Sequence, residues 1–199
     1  NIRALFPIPS LTMHFVMSKD SGVTKFSDLE AKTILLGKGS FGAKEGAKYL
    51  KLFGLEGKVK LANVELNNAV PAIKNRQIDG FVTAGSYPAP NVLEAAAGVG
   101  VSLISLSDAQ VKKTKRTRLV IPAGTYPGVN QDTVTTSLPV IAYTISNMDD
   151  ETAYQLTKTY WEQISSMGKA FPWWNGVSAK MLSNVYGKIH AGALRYYDE

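Results

Sequence analysis

Apolar positions along the chain recur with two different periods. Short runs rich in β-branched and aromatic residues at 11–18, 33–36, 59–64, 78–82, 101–106, 118–121 and 138–145 predict strands. Between them the spacing turns helical. Ala43, Ala47 and Leu50 fall at i, i+4 and i+7, with Tyr49 and Phe53 alongside and Gly54 as the stop. Further helices are predicted over 68–75 and 91–97, a short one capped by Ser27, and one around 177–186. Asp149 is a good N-cap for a long helix, with Asp150 and Glu151 suited to the positive end of its dipole and Tyr154, Thr157, Trp161 and Ile164 along one face. Strands alternating with helices predict an α/β fold with a mainly parallel sheet. No internal repeat and no low-complexity linker interrupts the pattern. If the chain forms two lobes, extended segments must join them, and 11–18 and 138–146 are the candidates.

Composition narrows the chemistry. The 199 residues are 45% hydrophobic and 19% charged, enough to bury a core in one large domain or two small lobes. Seventeen glycines and nine prolines without a period exclude collagen-like and low-complexity chains. The absence of cysteine excludes a disulfide framework, a thiolate nucleophile and a Cys-ligated metal. His14 and His190 are too few for a His-rich metal site, and any Ser/His/Asp triad must use one of them. No apolar run approaches the roughly 20 residues that span a bilayer. The sequence opens on Asn1-Ile2-Arg3 without a methionine or signal-peptide pattern, so the expectation is a start that has been processed or trimmed.

A net charge of +6 favours acidic partners: an anionic ligand, a nucleic acid or a membrane surface. The sharpest basic cluster, Lys112-Lys113-Thr114-Lys115-Arg116-Thr117-Arg118, has no interleaved aromatics and reads as a solvated helix end and loop rather than a nucleic-acid groove.

The most chemical motif is Gly37-x-Gly39-x-x-Gly42, between a predicted strand and a predicted helix. Glycines let a backbone approach an anion, and the first amides of a helix point at it with the dipole behind them. A dinucleotide site would use an acid such as Glu65 and needs a second mononucleotide half, which is hard to find. A kinase phosphate loop needs partner motifs absent here, since Asp79-Gly80-Phe81 has the wrong order. A ligand-free turn and a carboxylate site weigh more than either. For the latter, Gly39, Ser40 and the amides of Phe41, Gly42 and Ala43 are the first candidates. Gly85, Ser86 and Tyr87 follow the strand 78–82 and so emerge at the same carboxyl edge, where open α/β sheets bind ligands. Tyr126 and Ser10 are weaker candidates. Asp79, both histidines and Trp173-Trp174 read as structural.

Taken together, several segments resemble the TAXI receptors, solute-binding proteins of a subclass of TRAP transporters. They are 21–32, the glycine loop through Gly54-Leu55, Gln77 to Phe81 with Gly85 and Pro88, Ile121 to Tyr126, the helix from Tyr154, and His190 to Tyr197. The resemblance covers nearly the whole chain in order and implies a type II periplasmic-binding-protein-like α/β fold: two lobes joined by crossover strands, the first lobe lacking its N-terminal segment. Residues 1–31 and 132–199 would be the crossovers and first-lobe remnant, and 32–131 the second lobe. It also implies a periplasmic, non-enzymatic receptor without cofactor or metal, not inserted in the membrane and not binding nucleic acid. Its partners would be a small organic anion (a dicarboxylate, keto acid or acidic amino acid) and the membrane-embedded subunits of a TRAP transporter. The family's loop usually carries Gly-Ser-Gly-Thr where this chain has Ser40-Phe41-Gly42-Ala43, so no ligand identity carries across. The alternatives are an enzyme using the 37–42 loop for a phosphate-bearing substrate or dinucleotide, and a lobe serving only as an interaction or immunogenic surface.

Overall fold

Alternation along the first strand divides the core. In the computed structural model, which describes residues 1–199, β1 (Ile2–Ser18) turns Met13, Phe15 and Met17 to one face and Thr12, His14 and Val16 to the other. There follow β2 (Thr33–Leu35), α1 (Phe41–Leu52), β3 (Lys60–Leu61), α2 (Ala69–Lys74), β4 (Gly80–Gly85), α3 (Pro90–Val99), β5 (Val101–Leu103), α4 (Asp108–Thr114), β6 (Thr117–Ile121), β7 (Thr133–Ile145), α5 (Asp150–Ala170) and α6 (Ala191–Asp198). A seven-stranded sheet has the order β3-β2-β4-β1-β7-β6, with β5 pairing with β1 outside that row.

The chain divides into two compact units, Asn1–Leu11 with Leu138–Glu199, and Thr12–Ser137. It passes from one to the other within β1 and again within β7, so the fold is α/β with two units joined by two strands, the type II periplasmic-binding-protein-like arrangement. Residues 12–31, grouped by the sequence reading with the first-lobe flank, lie in the second unit.

In the second unit, Phe15, Leu29, Ile34, Tyr49 and Val82 are buried on one face of the sheet under α1. Val16, Leu35, Phe81, Val92 and Tyr126 are buried on the other, with α2 and α3. The first unit has a much smaller core, Leu5, Ala153 and Ala193.

Several elements differ from the sequence reading. The sheet is mixed: β2 pairs in parallel with β3 and β4, whereas β1 is antiparallel to β4 and β5, and β6 to β7. β7 starts five residues earlier than predicted, because the Thr133, Thr135, Thr136 and Ser137 side chains are buried rather than solvated. Their hydroxyls find internal partners: Thr135 Oγ1 donates to Met13 O at 2.7 Å and Thr136 Oγ1 bonds Tyr49 Oη. The short helix near Ser27 is a 3-10 turn, Phe26–Leu29, held by Asp28, whose Oδ2 accepts from the Thr24 and Lys25 amides, both at 3.1 Å. The segment 177–186 contains a 3-10 stretch, Ala179–Asn184, in place of an α-helix. The basic cluster runs from the end of α4, whose start carries a capping box between Ser107 and Gln110, into β6.

Candidate functional site

Strand order creates the site. β2 lies between β3 and β4, so the chain leaves β2 for β3 on one side and then crosses to β4 on the other. The carboxyl ends of β2 and β4 are therefore a topological switch point, where an open α/β sheet has its crevice. The turn after β2 leads into α1 on the Phe15 face, and the turn after β4 leads into α3 on the Val16 face.

The first turn bends at Gly37 (φ 78°) and Gly39 (φ 67°), a backbone region that L-residues avoid. Ser40 then caps α1 in extended geometry, its Oγ accepting from the Ala43 amide at 3.0 Å. This bond uses the Ala43 amide. The amides of Phe41 and Gly42, the first two of the helix, have no intrahelical carbonyl to meet.

Gly42 has helical φ and is buried. A Cβ there would sit 3.0 Å from the Ala84 amide nitrogen and 3.3 Å from Ala84 Cβ, so the missing side chain makes room for β4. One turn on, a Cβ on Gly46 would sit 2.9 Å from Leu36 Cδ2 and 3.2 Å from Val82 Cγ1. The two glycines let the start of α1 lie directly on β4, which brings Ser40 to Ala43 beside the end of that strand. Gly39 and Gly85 differ: a Cβ on either would meet nothing within 4 Å.

Phe41 turns toward the core. Its ring packs against the Phe15 cluster with the Arg116 guanidinium 5.6 Å from its centroid. Arg116, expected to be solvated, is held bidentately by the buried Glu45 of α1, Nε to Oε2 at 2.9 Å and Nη2 to Oε1 at 2.7 Å. Lys48 Nζ donates to Thr114 O at 3.1 Å and closes the same joint between α1 and the end of α4.

Past β4, Gly85, Ser86 and Tyr87 are half-buried, and the Tyr87–Pro88 peptide is cis. Tyr126, expected among ligand contacts, has no exposed surface. Its hydroxyl lies 2.8 Å from the Ala89 amide and 2.7 Å from His14 Nε2, so it anchors the loop. Ser10 is buried in the part of β1 that belongs to the first unit. Asp79 fastens the opposite end of the strands, its carboxylate accepting from the Thr33 amide at 2.7 Å. His190 caps α6, its Nδ1 accepting from the Gly192 amide at 3.2 Å. Trp173 and Trp174 pack against Phe171 and Tyr160 respectively.

Charge is unevenly divided. The second unit holds sixteen Lys and Arg against ten Asp and Glu, and the first holds six of each, so the entire excess of +6 lies in the unit carrying the glycine turn. Neither the Glu45–Arg116 pair nor the Tyr126–His14 pair is visible in the sequence, because the partners are 71 and 112 residues apart.

The sequence profile of the NMT1-like family matches residues 1–199, and the chain belongs to that family. Solved structures with a similar fold include the periplasmic sulfonate-binding protein SsuA from Methylobacillus flagellatus, 15% identical over 99% of this chain and 52% of that one, TM-score 0.49. The alkanesulfonate-binding protein SsuA from Xanthomonas axonopodis, bound to MOPS, is 16% identical over 99% of this chain and 59% of that one, TM-score 0.44. The GluR0 ligand-binding core from Nostoc punctiforme, in complex with L-glutamate, is 17% identical over 83% of this chain and 63% of that one, TM-score 0.42. The chain thus spans between about half and two thirds of the length of these proteins. No helix is long and apolar enough to cross a membrane.

Proposed function

We propose that this member of the NMT1-like family is the larger part of a periplasmic solute-binding receptor, not an enzyme, that captures a small organic anion. That anion would be a dicarboxylate, a keto acid or an acidic amino acid, and a TRAP-type transporter would receive it. One observation carries the reading. The Phe41 and Gly42 amides open the first turn of α1 at the switch point, where Gly42 seats that turn against Ala84 of β4. The excess positive charge of the same unit supports an anion over a cation or neutral solute. Both histidines are committed to structural hydrogen bonds, which weighs against an acid–base role for either. The parallel part of the sheet is a single β2-α1-β3-α2-β4 half that continues into antiparallel β1, which weighs against a dinucleotide site.

The deciding experiment is native mass spectrometry of the natural full-length protein for co-purified small molecules, beside thermal melts with carboxylates and with ATP, NAD and NADP. The carboxylate arm is expected to raise the melting temperature with concentration, toward about 2.7 kcal/mol at a hundredfold excess over Kd. Stabilisation by nucleotide alone would favour the enzyme reading.

A further inference from the structure

The anchor of the second turn has a determined direction. Thr12 O can only accept, so His14 Nδ1, 2.9 Å away, carries the ring proton. His14 is 1% exposed, and burial pushes its pKa down to about 4, so the ring is neutral and Nε2 is an acceptor. Tyr126 Oη, 2.7 Å from Nε2, must therefore donate to it. The same oxygen accepts from the Ala89 amide at 2.8 Å. The chain runs one way: Ala89 N–H to Tyr126 O–H to the His14 ring to the Thr12 carbonyl.

Both ends of the loop after β4 are thereby tied to one stretch of β1. Gly85, before the loop, is paired with Thr12, and Thr83 with His14. Ala89, after it, is the N-cap of α3 and has no side-chain cap of its own. Ala89 is buried, so its amide loses its partner if the Tyr126 oxygen is lost.

We infer that Tyr126 and His14 are a positioning pair: they set the path of Ser86 to Pro88, the wall of the proposed anion site opposite the glycine turn, and thereby its affinity. The link to affinity rests on the anion-site reading, whereas the fastening itself does not.

The test uses the whole chain. In the wild type, 15N shifts of the His14 ring are expected to show the tautomer protonated at Nδ1, and a proton at Nε2 overturns the inference without any variant. Tyr126→Phe keeps the ring and removes only the hydroxyl. Exchange of the Ala89 amide is expected to rise roughly tenfold or more, with β2 amides unchanged as an internal reference for folding. Unchanged protection at Ala89 overturns the fastening. Wild type and variant are then titrated with 2-oxoglutarate, L-glutamate, succinate and sulfate. For whichever saturates the wild type, Tyr126→Phe is expected to weaken binding roughly tenfold, and equal affinity beside faster Ala89 exchange overturns the positioning role. If none of the four saturates the wild type, the anion site and the link to affinity fall together, while exchange at Ala89 still decides the fastening.

Discussion

Arg116 reaches Glu45 through two parallel hydrogen bonds, so a residue of the basic cluster, entering β6, holds α1 by its second turn. The Glu45 side chain is 7% exposed and that of Arg116 28%. Bidentate Arg–carboxylate pairing tolerates burial better than a point contact, because both carboxylate oxygens are satisfied. Arg116 also lies over the ring of Phe41, the first residue of the helix whose amides open on the proposed site.

Removing one partner strands the other. Arg116→Ala is expected to cost about 2–3 kcal/mol in urea unfolding, less than a fully buried pair because Arg116 is partly solvated. Glu45→Leu with Arg116→Met should recover most of that loss. A double variant as unstable as the sum of the single ones would mean that the two residues act separately.

The pair also has a pH signature. The Arg116 hydrogen bond holds the Glu45 carboxyl below its usual range, against a smaller desolvation effect. A carboxylate whose folded pKa is depressed contributes stability above its unfolded pKa and loses it as pH falls through the folded value. Stability should therefore decline in the acid range more steeply for the wild type than for Glu45→Gln, and parallel curves would contradict this.

His14 acts in a higher window. Its pKa, pushed down to about 4 by burial against an unfolded value of 6.5, means that the unfolded chain takes up a proton first. Stability is complete above pH 6.5, falls as pH drops toward 4, and the total loss is about 3 kcal/mol. Denaturation at pH 7, 5.5 and 4.5 checks the slope, which should flatten in His14→Gln.

Gly42 and Gly39 should respond differently. Gly42→Val forces a branched side chain against the Ala84 backbone and is expected to destabilise by about 1–3 kcal/mol. Gly39→Ala meets open space and bears only the positive φ, about 1–2 kcal/mol. A Gly42→Val variant as stable as the wild type would show that α1 does not bear on β4 as described.

The first unit is expected to be the weaker part. It carries Ile2, Tyr143, Ile145, Leu156, Phe171, Tyr186 and Leu194, seven of the eight exposed large apolar residues, over a three-residue buried cluster. The isolated chain should bind an apolar dye, self-associate with concentration and exchange its α5 and α6 amides faster than those of β1 and β4. A monomer at all concentrations with uniform protection would refute this.

The sequence by itself determined what neighbouring residues dictate. The apolar periods located α1, α3, α5 and most strands, and Asp149 and the glycine turn were legible because caps and positive-φ positions are local demands. The lack of any linker between apolar runs meant that two units, if formed, had to be joined by extended segments. Only the tertiary structure decided the rest. Thr135 and Thr136 lie outside the strand the sequence predicts until Met13 and Tyr49 supply their partners, and Tyr126 reads as a candidate ligand contact until His14 and Ala89 converge on its hydroxyl. The role of Gly42 likewise depends on how closely Ala84 approaches it. A polar group is buried or solvated according to whether a distant partner satisfies it, and that pairing has no period along the chain.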